Sequence, residues 1–134
     1  MTRALNDVEI REAAEAILRA ERDGKAMPPL SATHGGLSLG DAYRVQDELN
    51  GMRRQQGIAF AGYKIGLTWH STQIACDLDA PIHGRILRQA VHQSGASLSA
   101  ALLVKPHVEV ELAFIIGRDI DRPINGVDEM LAAT

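Results

Sequence analysis

Two acidic side chains in the second half of the chain have a spacing that suits a metal ion. Glu109 and Glu111 lie in residues 106–117, where apolar and polar residues alternate as in a half-buried β-strand. Alternate residues of a strand share a face with their Cα atoms roughly 7 Å apart. Two neighbouring carboxylates repel unless water or a cation lies between them, and Mg²⁺ or Mn²⁺ prefers such oxygen ligands. The alternative is a strand with a solvated acidic face. The opposite, apolar face is predicted to pack on a core through Val108, Val110, Leu112 and Phe114.

A lysine in the middle of the chain lies between two glycines on another predicted strand, residues 58–68. Gly62, Lys64 and Gly66 share one face of that strand. Glycine weakens a strand, and one use of it is to let a ligand or another backbone come close. A lysine in such a gap can project into a cleft and transfer protons. The alternative is a surface lysine on an edge strand.

Helices are predicted before these strands and around them. Residues 7–22 have helical apolar spacing, with Asn6 or Asp7 as the cap. A second helix is predicted from Ser38 to Gly57, with an apolar stripe along one side.

The second half contains shorter predicted elements. We expect a short helix capped by Ser71 that runs to about Cys76, a strand after Pro81, and a helix that begins at Val127. Cys76 has no neighbouring base and is predicted to be a small buried apolar residue.

The composition indicates a globular protein with one modest core. Of 134 residues, 46% are hydrophobic, 23% are charged and 4% are aromatic, so aliphatic side chains must fill the core. The formal charge of −3 gives no electrostatic reason to expect nucleic acid or an anionic membrane as a partner. The single cysteine excludes a disulfide framework. No signal-peptide pattern opens the sequence, and no apolar run approaches the ~20 residues of a membrane span. We therefore expect a cytoplasmic protein.

Four segments follow one another along the chain: A-Y-R-V-Q at 42–46, G-Y-K-I-G-L-T at 62–68, P-I-H-G at 81–84 and P-H-V-E-V-E-L-A-F at 106–114. Together they resemble the 2-keto-4-pentenoate hydratase group of the fumarylacetoacetate hydrolase superfamily, over about residue 7 to the last residue. The combination of a G-x-K-I-G-L-T strand with a downstream P-x-V-E-x-E-x-A-F strand is specific.

The resemblance implies an α+β fold in which a helical N-terminal segment, residues 1–57, precedes the first strands of a mixed β-roll, residues 58–134. Together they would form a single partial hydratase domain, residues 1–134. By resemblance, Glu109 and Glu111 are ligands of Mg²⁺ or Mn²⁺, and Lys64 is the active-site lysine. The implied substrate is a small 2-hydroxy-2,4-dienoate or its 2-oxo tautomer, from catabolism of aromatic compounds or sterols. The product would be a 4-hydroxy-2-oxo acid, and the enzyme is expected to be a homo-oligomer.

The sequence also departs from the family pattern. The family's third carboxylate ligand comes from a segment after the Glu-x-Glu strand, and the chain looks like roughly the first half of a family member. Ile82 and His83 stand where the family often has aspartate and an aromatic residue, and Trp69 stands where a small polar residue is usual.

Two alternatives to a hydratase therefore stay open. A 2-oxo-3-hexenedioate (4-oxalocrotonate) decarboxylase would use nearly the same site. The chain could also be an inactive fragment, or an oligomerising partner of a full-length relative.

Overall fold

Three helices form the first part of the chain. The computed structural model describes residues 3–134, apart from the side chain of Leu102. Helix α1 is Asp7–Arg22, the single turn α2 is Leu30–Thr33, and helix α3 is Leu39–Gln55. The prediction of two long helices is confirmed, and α2 adds one turn within a segment predicted to be a loop.

The core lies between α1 and α3, whose apolar stripes face each other. Val45 is 1% exposed and Ala14 is fully buried, so the two helices approach closely at this point. Partly buried leucines and an isoleucine pack around the core. The buried apolar residues of the cluster are Leu5, Ile10, Ala13, Ala14, Val45, Leu49 and Met52.

Side-chain caps explain where the two long helices begin. The Asn6 side chain accepts a hydrogen bond from the backbone N–H of Glu9 (3.0 Å), and the Glu9 carboxylate accepts one from the N–H of Asn6 (2.9 Å). The Ser38 hydroxyl accepts a hydrogen bond from the N–H of Asp41 (3.0 Å) and donates one to its carboxylate (2.9 Å). Both caps satisfy backbone donors that a helix leaves unpaired. The predicted helix starts are confirmed.

Hydrogen bonds at the starts of the two helices lower the pKa values of two carboxyl groups. A side-chain hydrogen bond from Arg3, joined by the backbone N–H of Asn6, lowers the pKa of Glu9. The hydrogen bond from Ser38, followed by contacts that include the Arg44 guanidinium, lowers the pKa of Asp41. Both carboxylates therefore stay ionised further into acid than exposed ones do.

Two antiparallel strands follow the helices. Strand β1 is Phe60–Gly66 and strand β2 is Ile82–Leu87, with helix α4, His70–Ala75, in the connection between them. The register places Lys64 opposite Gly84. Both strands lie within the segments predicted to form them. Helices and a two-stranded sheet give the predicted α+β class. None of the helices in residues 3–134 is long and apolar enough to cross a membrane.

Two predictions around α4 are wrong. The residue before the helix is Trp69, and the Ser71 side chain does not cap it. Cys76, which was predicted to be buried, is exposed. The reason lies in which side of α4 is buried. Its buried residue is Gln73, whose side chain is an amide, whereas Ile74 is 65% exposed. The buried side of α4 therefore carries a polar residue, and its apolar Ile74 faces solvent.

The described residues divide into two compact units between Val104 and Lys105. The second unit contains helix α5, Val127–Leu131, whose predicted start is confirmed. The chain after α5 is tied to an earlier residue of this unit, since the N–H of Gly117 donates to the carbonyl of Ala133 at 2.8 Å.

The predicted strand over residues 106–117 is wrong for this structure. The segment has no regular secondary structure and no ladder partner among the described residues. Its expected core face is open to solvent, with Val108 95%, Val110 99% and Leu112 89% exposed. An extended segment becomes a strand only when another strand satisfies its backbone groups, and the alternating pattern supplies only one side of that pairing.

Candidate functional site

Lys64 lies on a face of the β1–β2 pair from which most neighbouring side chains are missing. Gly62 and Gly66 flank it on its own strand, and Gly84 lies directly across from it on β2. A methyl group added at Gly62 would meet nothing within 4 Å. Lys64 therefore lies between glycines on its own face, as the strand spacing predicts, and its side chain is exposed. Its role as the active-site lysine stays a prediction.

Helix α3 covers the outer edge of β2 next to this gap. The Tyr43 hydroxyl accepts a hydrogen bond from the backbone N–H of His83, and the Gln46 amide donates one to the carbonyl of His83, each at 3.2 Å. A methyl group at Gly84 would come within 3.4 Å of the Gln46 side-chain oxygen. A larger residue at position 84 would therefore displace Gln46. Glycine at position 84 lets α3 approach β2, the strand that pairs with the strand of Lys64.

The other face of the sheet carries a row of rings and guanidinium groups. The Tyr43 and His83 rings stack with centroids 4.8 Å apart, and the Arg85 guanidinium lies 3.9 Å from the centroid of the Tyr63 ring. Arg85 also lies 5.7 Å from the centroid of the Phe60 ring. These contacts favour one orientation of the strands. They also give His83, a departure from the family pattern, a packing role.

The chain leaves β1 through a turn that is held by a buried amide. Leu67, the first residue after the strand, has a φ of 54°, in the left-handed region that bulky residues rarely adopt. The side-chain amide of Gln73 donates a hydrogen bond to the Leu67 carbonyl at 2.7 Å. At the other end of the turn, the Trp69 carbonyl accepts a hydrogen bond from the Thr72 hydroxyl at 2.7 Å.

Glu109 and Glu111 lie in the second compact unit, on the segment without secondary structure, and both are exposed. Lys64 belongs to the first unit. Each carboxylate supplies oxygen ligands of the kind that Mg²⁺ prefers, so the pair suits part of a divalent cation's shell. In the part of the chain that the structure describes, no group of three or more histidine, cysteine or acidic side chains could hold a metal ion. The two glutamates would therefore be a partial ligand set.

Gln46 and Gln73 carry no role in the sequence-based predictions, although both contact backbone beside Lys64. Gln46 lies in the A-Y-R-V-Q segment that carried the family resemblance. Gln73 had no signal, because a glutamine in a short helix is normally a solvated residue. Its role depends on burial, which sequence spacing does not give.

Known proteins with similar sequences are longer than this chain. No family model matches it. A 2-keto-4-pentenoate hydratase of Paraburkholderia xenovorans is 31% identical over 122 residues, which are 91% of this chain and 45% of that protein. A 4-oxalocrotonate decarboxylase of Pseudomonas sp. (strain CF600) is 27% identical over 134 residues, which are 100% of this chain and 51% of that protein.

A solved structure shows a similar fold. It is the 4-oxalocrotonate decarboxylase from Pseudomonas putida G7, complexed with magnesium and adipate. The match has a TM-score of 0.62 and 25% identity, and covers 65% of this chain and 33% of that chain. The same enzyme complexed with calcium and acetate matches equally well. The predicted resemblance is confirmed: over 91% of its length the chain is similar in sequence to a 2-keto-4-pentenoate hydratase, and it spans about half the length of the relatives that it matches.

Proposed function

We propose that this chain carries half of a divalent-metal-dependent hydratase that adds water to 2-hydroxy-2,4-dienoates and produces 4-hydroxy-2-oxo acids. The observation that carries the proposal is the position of Lys64, exposed in a gap lined by Gly62, Gly66 and Gly84. Support also comes from the hydratase names of the relatives at 31% identity. Because the chain spans about half the length of those relatives, we assign the activity to the complete site and not to this chain alone.

Lys64 is the proton-transferring residue in this proposal. Hydration requires a proton to leave the C2 hydroxyl and one to reach the carbon chain, after which water adds to the resulting unsaturated ketone. An exposed ammonium group in a glycine-lined gap can approach the substrate, donate a proton and balance negative charge on its C2 oxygen.

Glu109 and Glu111 would hold the cation in this proposal. A bound Mg²⁺ or Mn²⁺ would act as a Lewis acid toward a 2-oxo acid, whose carboxylate and neighbouring carbonyl form a natural chelate. The choice between the two metals stays a prediction. So do the mixed β-roll of the complete fold, the division into residues 1–57 and 58–134 of one partial domain, the homo-oligomer and the cytoplasmic location.

A decarboxylase is the second candidate. Two observations favour keeping it: the decarboxylase from Pseudomonas sp. matches over all of this chain, and the similar solved structures are of a decarboxylase. Product analysis separates the two, because a decarboxylase releases CO₂ from 2-oxo-3-hexenedioate whereas a hydratase adds water to 2-hydroxypenta-2,4-dienoate.

The test is a turnover assay of the purified chain with Mg²⁺ or Mn²⁺, alone and co-expressed with the second half of a full-length relative. Glu109→Gln and Glu111→Gln should each lower kcat/KM by about 100-fold or more, because a Lewis acid supplies several kcal/mol of charge stabilisation. Calorimetric titration of each variant with Mg²⁺ measures the loss of metal binding independently of turnover. Glu12→Gln, which changes an exposed carboxylate on α1, is the matched control.

Two results would contradict the proposal. Turnover that survives both replacements and added EDTA would remove the metal from the mechanism. Absence of turnover and of Mg²⁺ binding in the co-expressed pair would favour the inactive fragment.

A further inference from the structure

A buried glutamine beside the candidate site has a specific contact that the proposed mechanism does not use. Gln73 is 7% exposed, whereas Ile74 next to it is 65% exposed. Burial of an amide is unfavourable unless it forms hydrogen bonds. The amide nitrogen of Gln73 has a short one, 2.7 Å from the carbonyl oxygen of Leu67. The burial of Gln73 is therefore explained by this contact.

The residue that Gln73 contacts has an unfavourable backbone conformation. Leu67 has a φ of 54°, and the Cβ of a leucine makes this region costly. Most other described residues with positive φ are glycines, such as Gly57 and Gly95, although Asp77 and Lys105 also adopt it. Leucine does not prefer this conformation, so contacts around it must hold it there. The hydrogen bond to its carbonyl is such a contact.

The position of Leu67 links this contact to the candidate site. Leu67 directly follows the last residue of β1 and lies three positions after Lys64. The φ of Leu67 sets the direction in which the chain leaves the strand, and therefore where Thr68 and Trp69 lie. Both are exposed, Trp69 to 78%. Both side chains are therefore left largely open to solvent beside the turn.

We propose that Gln73 is a positioning residue, which holds Leu67 in the left-handed conformation and thereby directs Thr68 and Trp69 toward the substrate bound at Lys64. The Trp69 indole then limits the length of the substrate's carbon chain, and the Thr68 hydroxyl supplies a polar contact. The inference rests on the proposed function for its substrate. The hydrogen bond and its effect on the turn can be tested without turnover.

The structural test uses NMR of the isotope-labelled chain. A strong intraresidue NOE between the amide and Hα protons marks a residue with positive φ. In Gln73→Met, which keeps the length but removes the donor, this NOE should weaken at Leu67 and the Trp69 indole resonance should shift. Gln73→Glu, nearly isosteric but without a donor when ionised, should do the same. Gln56→Met, at an exposed glutamine at the end of α3, is the control and should change neither signal.

A second-site variant separates positioning from a general loss of folding. Asparagine adopts the left-handed conformation more readily than leucine. Adding Leu67→Asn to Gln73→Met should therefore restore the NOE and the Trp69 resonance. A merely structural role of Gln73 in packing α4 would not be rescued at position 67. Failure of the rescue, or a Leu67 NOE unchanged in both Gln73 variants, would overturn the proposal.

The kinetic test compares 2-hydroxypenta-2,4-dienoate with the longer 2-hydroxyhexa-2,4-dienoate in the co-expressed pair. Gln73→Met should change the ratio of kcat/KM for the two substrates by about 10-fold or more, because small displacements of contact groups have large kinetic effects. An unchanged ratio would overturn the substrate-facing part. If the unaltered pair turns over neither substrate, the proposed function fails, and the NMR results alone decide the role of Gln73.

Discussion

The most regular apolar patterns of the two compact units differ in their exposure to solvent. In residues 3–104, the stripes of α1 and α3 cover each other, and Val45 is 1% exposed. In residues 105–134, Val110 is 99% exposed, although its segment has an equally regular apolar pattern. Each apolar pattern would bury one face of its segment if another element covered that face. In the first unit that element lies within the same unit.

The difference teaches that an apolar pattern predicts a tendency to be buried and not burial itself. A helix satisfies its own backbone hydrogen bonds, so α1 and α3 needed only each other's side chains. A strand needs a second strand for its backbone as well as a cover for its side chains. Residues 106–117 have neither a partner strand nor a cover for their apolar side chains among the described residues.

The largest expected effect compares one leucine from each unit. Leu49→Ala, at a residue 6% exposed, should lower the free energy of unfolding by about 2–5 kcal/mol. Leu112→Ala, at a residue 89% exposed, should change it by less than about 0.5 kcal/mol. Urea unfolding followed by circular dichroism measures both. A cost at Leu112 equal to that at Leu49 would mean that residues 106–117 are buried in solution, and the contrast between the units would be wrong.

A smaller effect should come from the helix caps of the first unit. Ser38→Ala removes the hydroxyl that bonds both the backbone and the side chain of Asp41, which should cost about 1 kcal/mol. Ser71→Ala is the control, since Ser71 lies in the first turn of α4 but does not cap it. Thermal unfolding of both variants measures the difference. Equal losses would show that the cap at Ser38 contributes nothing specific.

The smallest effect is a pH dependence at Asp41. Its pKa is lower in the folded chain than in the unfolded chain, so ionised Asp41 stabilises the fold above its usual pKa of about 3.9. This contribution is lost as the pH falls through the lower, folded pKa. The stability gap between the unaltered chain and Asp41→Asn should therefore shrink between pH 5 and acid conditions near pH 3. Urea midpoints at both pH values measure it, and a gap that stays constant would remove the ionised form from the explanation.

The parts of the fold that sequence could predict are those with local causes. Asn6 and Ser38 announce helix starts because their caps bond residues only three positions away. Lys64 between two glycines was recognisable for a similar reason, since the spacing along one strand sets a shared face. The opposite glycine, Gly84, required the register between two strands.

The parts that sequence could not predict depend on distant contacts or on burial. Tyr43 and Gln46 contact His83 across 37 to 40 positions of the chain, which no local pattern reports. The left-handed Leu67 could not be predicted, because leucine disfavours that conformation and its contact with Gln73 lies outside the strand. The burial predicted for Cys76 failed for a related reason, since α4 turns its amide inward.

The contact between α3 and β2 also decides on which side this sheet can grow. A strand that joined β2 would need the backbone N–H and carbonyl of His83, and Tyr43 and Gln46 already occupy both. Such a strand would have to break two hydrogen bonds and displace a stacked ring before it gained any of its own. Helix α3 thus closes the outer edge of β2, so that a further strand of this sheet would pair with β1.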